Sequence, residues 1–115
     1  TLVQGARNRQ ELYYHDEFVA LAARHPNFTY VPALSDEAAD SDWQGFRGFV
    51  HDAAKAYFDN DFRGRKAHLC GPPIMIEACI TTLMQGRLFE RDIYTEKFFS
   101  AADAQQVRSP LFKKV

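Results

Sequence analysis

Short apolar stretches alternate with amphipathic ones along this chain. The sharpest junction, Ala67-His68-Leu69-Cys70-Gly71-Pro72-Pro73, most constrains what the chain can fold into. Ala67 to Cys70 reads as a short apolar strand. Gly71 has no Cβ, so backbone can come close to a ligand there. Pro72 and Pro73 fix φ near its helical value at a first turn, where a missing N–H costs nothing. Ile74-Met75-Ile76-Glu77-Ala78-Cys79-Ile80 then carries apolar residues for a buried helix face. A strand end, a tight turn and an open helix N-terminus form the place where α/β sheets hold phosphates and cofactors. The Cys70 thiol would point into the same crevice.

The rest of the chain follows the same alternation. Leu2-Val3-Gln4 reads as a strand ended by Gly5. A helix is expected from Glu11 to Ala23, with Leu12, Phe18, Val19 and Ala22 on its apolar face. Arg24-His25-Pro26-Asn27 ends it, because proline disfavours helix at the preceding residue. Phe28 to Leu34 is a strand whose late proline, Pro32, points to an edge or a strand end. Ser35 to Gln44 is acidic and polar, hence a surface loop. Phe49 to about Phe58 is a second helix, followed by a polar turn at Asp59-Asn60-Asp61. Lys66 to Cys70 is the next strand, and Pro72 to Gln85 the next helix, with Gly86 as its C-cap. Ile93 to Lys97 is a last strand, and Ala101 to Arg108 a flexible tail. Strands alternating with helices imply a parallel sheet with helices on its faces.

Composition excludes several functions. At 115 residues the chain is one domain, and 46% hydrophobic with 25% charged residues is ordinary globular usage. A net charge of -1 gives no support to nucleic-acid binding, which wants a strongly basic face. No apolar run approaches the roughly 20 residues needed to cross a bilayer, and no signal peptide opens the chain. Two cysteines, Cys70 and Cys79, are too few for a disulfide scaffold and do not form a C-x-x-C pair, so no metal site is indicated. His15, His25, His51 and His68 show no ligand spacing. A reducing, cytoplasmic setting is expected. The chain opens on Thr1-Leu2-Val3-Gln4, already inside a strand and without a methionine, which reads as part of a longer protein.

Four ordered blocks resemble the pyridine-nucleotide domain of the ferredoxin–NAD(P)H reductase superfamily. They are Gly5-Ala6-Arg7-Asn8-Arg9-Gln10-Glu11-Leu12-Tyr13, Trp43-Gln44-Gly45-Phe46-Arg47-Gly48-Phe49-Val50, Cys70-Gly71-Pro72-Pro73, and Asp92-Ile93-Tyr94-Thr95-Glu96-Lys97-Phe98. Within the superfamily the chain looks most like the reductase components of multicomponent phenol hydroxylases, over nearly its whole length and including the Ser109 to Val115 tail. The resemblance implies an α/β fold: a partial doubly wound, Rossmann-like parallel sheet with flanking helices, without its first βα unit. Residues 1–100 would be the C-terminal part of an NAD(H)-binding domain and 101–115 a tail. NADH would bind this segment, while FAD and a 2Fe–2S cluster would lie on segments absent from it. The partner would be the oxygenase component. Two other readings stay open: a non-enzymatic half-domain that forms homo-oligomers through open sheet edges, and a reductase serving another aromatic or alkane oxygenase.

Each candidate residue has a plainer reading. Buried cysteines usually act as small hydrophobes, and Cys79, inside a helix, keeps that role. Cys70 is the catalytic candidate, since the resemblance implies that it lies beside the nicotinamide ring and helps orient it without becoming a nucleophile. Gly71, Pro72 and Pro73 punctuate a helix, and shaping that turn is also how a cofactor site works. An arginine after a strand is commonly just solvated, yet the carboxyl end of a parallel strand is the ligand crevice. The resemblance places Gly5 and Arg7, and less directly Arg9, near the adenosine half of the dinucleotide. Arg7-Asn8-Arg9 would also suit a 2′-phosphate, so charge alone leaves NADPH open. Tyr94, Glu96 and Phe98 alternate as in any half-buried strand; Phe98 is the candidate to face flavin or nicotinamide.

Overall fold

The computed structural model describes residues 1–98, so the expected 101–115 tail lies outside the described residues. The chain forms two compact units, one of Thr1–Ala54 and one that begins at Lys55.

In the first unit, β1 (Leu2–Ala6) pairs parallel with β2 (Tyr30–Leu34), from Leu2 opposite Tyr30 to Ala6 opposite Leu34. A two-residue strand, β3 (Phe46–Arg47), continues the sheet beside Ala33 and Leu34. β1 runs through Gly5 to Ala6 rather than stopping at the glycine. β2 is a central strand, yet it tolerates Pro32. The Ser35 N–H donates to the Ala6 carbonyl at 3.0 Å. By the two-residue period, Ala33 and Val31 also turn their N–H groups toward β1, and the Pro32 nitrogen faces the other side. β3 does not reach that far, so the proline sits on a locally open edge.

The first helix, α1 (His15–Arg24), starts four residues later than the apolar pattern implies. Arg9–Glu11 form a separate 3-10 turn, and Tyr14 takes a left-handed conformation at φ 55°. Leu12 therefore lies outside α1, and Val19 is half exposed. Phe18 carries the packing, with ring centroids 5.3 Å from Tyr30 and 6.3 Å from Phe28. Ala33, Leu34, Trp43 and Ala53 are the buried apolar residues of this unit. The second helix, α2, spans Val50–Tyr57, close to expectation.

In the second unit, β4 (Ala67–Gly71) and β5 (Ile93–Lys97) form a parallel pair. The third helix, α3 (Pro73–Gln85), packs on both strands. Pro72 is its N-cap in extended conformation and Pro73 its first helical residue. Gly86 is the C-cap, as expected. Ile76, Cys79, Ile80 and Leu83 form the buried face of α3, together with Phe62, Leu88 and Ile93. The opposite face of the strand pair is open: His68, Cys70, Tyr94 and Glu96 are exposed. On it the cross-strand partners His68 and Tyr94 stack with centroids 4.9 Å apart. Among the described residues no helix is long and apolar enough to cross a membrane.

Candidate functional site

In the first unit the candidate residues gather at the carboxyl end of β1. Gly5 is exposed in the strand, and an added Cβ would fall 3.1 Å from Val50 Cβ, so glycine lets the start of α2 come close. Arg7 leaves the strand end and is held by Glu11: Nε donates to one carboxylate oxygen at 3.2 Å and Nη2 to the other at 2.9 Å. That hydrogen bond and the Glu11 charge raise the Arg7 pKa further above its ordinary value. The Asp36 N–H closes the turn by donating to the Arg7 carbonyl at 2.8 Å. Arg9 points to Asp42, 2.7 Å away, and to Glu37 at 3.7 Å, and lies 5.2 Å above the Trp43 ring. Asn8 Oδ1 is buried with no hydrogen-bond partner among the described residues.

In the second unit they gather at the carboxyl ends of β4 and β5. Cys70 is exposed, and Gly71 beside it is buried as the last residue of β4. The Phe98 N–H donates to the Gly71 carbonyl at 2.8 Å, while the Phe98 side chain is 55% exposed. Cys70, Gly71 and Phe98 are thus brought to one point. A Cβ on Gly71 would sit 2.6 Å from the Met75 sulfur, so glycine lets the Met75 side chain pack against the end of β4. No side chain caps that helix, and no acidic residue lies in its first turn. The Ile76 N–H reaches the Pro72 carbonyl at 3.1 Å. Ile74 and Met75 N–H therefore have no intrahelical acceptor, and Pro73 has no N–H to place. With the helix dipole, two free amides make a seat for an anion. Ile74, 82% exposed, supplies an apolar wall beside it.

Sequence reasoning missed the carboxylates that hold the two arginines. The spacing of Arg7 and Glu11, four residues apart, was the available signal. It also missed Lys97, whose side chain is only 1% exposed and lies 3.7 Å from Glu77. Lys97 shares the inward face of β5 with Ile93 and Thr95, so strand parity carried that signal. Cys79 is buried, and burial pushes its thiol pKa up to about 11. A cavity of about 890 Å³, lined by Arg63, Arg87, Leu88 and Arg91 among others, lies at the amino end of β5, away from these residues. Among the described residues no group of His, Cys, Asp and Glu could hold a metal ion.

Residues 1–81 match the oxidoreductase NAD-binding domain family. The chain belongs to that family. This NAD-binding domain is 66% identical to the reductase component DmpP of phenol 2-monooxygenase from Pseudomonas sp. (strain CF600), over 100% of the chain and 33% of that protein. It is 56% identical to the phenol hydroxylase P5 protein of Acinetobacter pittii (strain PHEA-2), over 99% of the chain and 33% of the relative. The chain thus spans about a third of the length of these curated relatives. In structure it matches Amycolatopsis cytochrome P450 reductase GcoB with a TM-score of 0.72 at 38% identity, over 82% of the chain and 27% of that protein. The NAD-binding domain is therefore an α/β fold of the reductase type, as the four sequence blocks implied.

Proposed function

We propose that this chain is the NADH-binding segment of a reductase component that passes electrons from NADH to the oxygenase component of a phenol hydroxylase. The observation that carries the reading is its similarity, along its entire length, to the reductase component of phenol 2-monooxygenase. Residues 1–100 are then the cofactor-binding part and 101–115 a tail.

The residues of the second unit fit an anionic dinucleotide. The uncapped first turn of α3 offers two free amides and carries no acidic residue of its own to repel a pyrophosphate. Gly71, Pro72 and Pro73 shape that turn. Cys70 precedes Gly71 in β4 and the Phe98 N–H donates to the Gly71 carbonyl, so a thiol and an apolar ring at this strand end would orient a nicotinamide by contact. Gly5, Arg7 and Arg9 serve the adenosine half from the carboxyl end of β1. Bound NADH supplies the hydride; the protein supplies position and electrostatics. A 2Fe–2S cluster does not fit this chain. The sequence has two cysteines, and one is buried and held protonated. The cluster and FAD are assigned to other parts of a longer protein.

The test is to purify the full-length protein that carries this chain and follow NADH-dependent reduction of its flavin and turnover of phenol with the oxygenase component. Fast flavin reduction by NADH with coupled phenol hydroxylation is expected. Tight NADH use with no electron delivery to a phenol-hydroxylating partner would assign the chain to another oxygenase system. Failure to bind NADH at all would remove the reading.

A further inference from the structure

The carboxyl end of β1 carries Arg7-Asn8-Arg9, a sequence that by charge alone would welcome a phosphate. The geometry reverses that. The planar guanidinium of Arg7 binds best through a bidentate fork, and the fork is already filled by Glu11 at 2.9 and 3.2 Å. Asp36 adds a second negative charge that acts on the same guanidinium. Arg9 is engaged by Asp42 at 2.7 Å and Glu37 at 3.7 Å, and is stacked over Trp43. Two arginines thus face four carboxylates. The loop's unmet buried polar atom, Asn8 Oδ1, is an acceptor, which a phosphate oxygen cannot satisfy.

We propose that Glu11 sets this end of the site against a 2′-phosphate and so makes the chain prefer NADH to NADPH. The proposal rests on the reading above, in which the Arg7 end receives the adenosine ribose. A free ribose 2′-hydroxyl can donate to a carboxylate, which is how acidic residues recognise NAD in doubly wound folds, whereas an unpaired arginine receives the 2′-phosphate of NADP. To bind a 2′-phosphate, Arg7 would have to give up both bonds to Glu11, leaving that carboxylate beside a dianion. Both side chains are accessible, Arg7 at 73% and Glu11 at 41%, so a ligand can reach the pair. Because the pair is exposed, its effect is screened by salt.

The experiment uses the full-length protein with Glu11→Gln, Asp42→Asn and the Arg7→Ala/Glu11→Gln double variant. Steady-state kinetics with NADH and with NADPH is combined with inhibition by 5′-ADP and by 2′,5′-ADP. Glu11→Gln is expected to shrink the NADH-over-NADPH preference in kcat/KM by about tenfold, mostly through a lower KM for NADPH, the size expected of one charge-assisted contact. Inhibition by 2′,5′-ADP should tighten in parallel, more at low salt than at high. Asp42→Asn, which loosens Arg9, should shift preference the same way by less, and the Arg7→Ala/Glu11→Gln protein should lose the gain. If NADH is used normally and Glu11→Gln leaves the preference unchanged, Glu11 is not the selecting residue. A gain that survives loss of Arg7 also overturns the proposal. A wild-type protein that uses neither nucleotide would remove the underlying NADH reading, a separate result.

Discussion

Two cysteines of one chain differ in almost everything that governs thiol chemistry. Cys70 is exposed at a strand end, and Cys79 is buried on the inner face of α3. Thiolate is the reactive form, and burial holds Cys79 protonated up to about pH 11, against an ordinary value of 9.0. Iodoacetamide at neutral pH should therefore label Cys70 within minutes and leave Cys79 untouched until the protein unfolds, read by mass spectrometry. The same contrast sets a pH dependence. Once pH passes about 9 the unfolded Cys79 thiol ionises while the folded one keeps its proton, so stability falls between about pH 9 and 11. Urea midpoints across that window should drop for wild type and less for Cys79→Ala. In the full-length protein, Cys70→Ala should slow hydride transfer to flavin about tenfold while changing the NADH dissociation constant little, because a positioning contact acts on the barrier. Stopped-flow flavin reduction at wild-type rate in the variant would sink the role given to Cys70. Both cysteines were legible from the sequence, because a residue next to Gly-Pro at a strand end and one inside an apolar helix have different surroundings by construction. The partners of Arg7 and Arg9 were not. Glu37 and Asp42 belong to a loop whose path no periodicity specifies, and only its folding places them at the Arg9 guanidinium.

At the scale of elements, strands and helices with strong apolar signatures were readable, and the irregular pieces between them were not. β5 spans Ile93–Lys97 as its alternation implied, and α3 ends at Gly86 as its cap implied. β3 is only two residues long and has no period to detect. What fixes it is a local device. The Trp43 indole N–H donates to the Phe46 carbonyl at 3.0 Å, and the Arg47 guanidinium donates to the Ala38 and Ser41 carbonyls at 2.9 and 3.1 Å. Gly45 lies against the Trp43 ring, so a Cβ there would collide with ring carbons that cannot move aside without disturbing the core. Gly45→Ala should cost about 1–3 kcal/mol by overpacking, and Trp43→Phe should remove the indole bond at about 1 kcal/mol or more. Thermal or urea unfolding checks both; a Gly45→Ala protein as stable as wild type would show that the loop accommodates the methyl. The late start of α1 has a similar origin. His15 Nδ1 lies 2.9 Å from the Tyr30 hydroxyl, which donates to Gln4 Oε1 at 3.0 Å, and Gln4 Nε2 donates to the Tyr13 carbonyl at 3.1 Å. The single hydroxyl proton is spent on Gln4, so His15 Nδ1 carries a hydrogen and donates. This chain ties the residues before the helix to β1 and β2, and no spacing rule in the sequence announces it.

For the whole molecule, the deciding feature is strand edges. Among the described residues β1 is hydrogen-bonded only to β2, and β4 only to β5. Each therefore presents a second edge of backbone donors and acceptors, in parallel sheets that are ordinarily buried on both faces. A two-stranded sheet is marginal by itself. The second unit also leaves His68, Cys70, Tyr94 and Glu96 uncovered on one face, with Ile74 and Phe98 exposed at the strand ends. Burying an edge without partners costs roughly 1–3 kcal/mol for each unsatisfied group, so pairing with another strand is the favourable outcome. Expressed as these 115 residues alone, the chain should associate in a concentration-dependent way and bind NADH far more weakly than the full-length protein. Size-exclusion chromatography with light scattering reads the first, and isothermal titration the second. A discrete oligomer with no nucleotide affinity would favour the interaction-module reading for the isolated chain, and recovery of NADH binding in the longer protein would return it to cofactor binding. Micromolar NADH binding by a monodisperse monomer would show that the open edges of β1 and β4 carry no penalty, and that each unit's residues hold their binding geometry unaided.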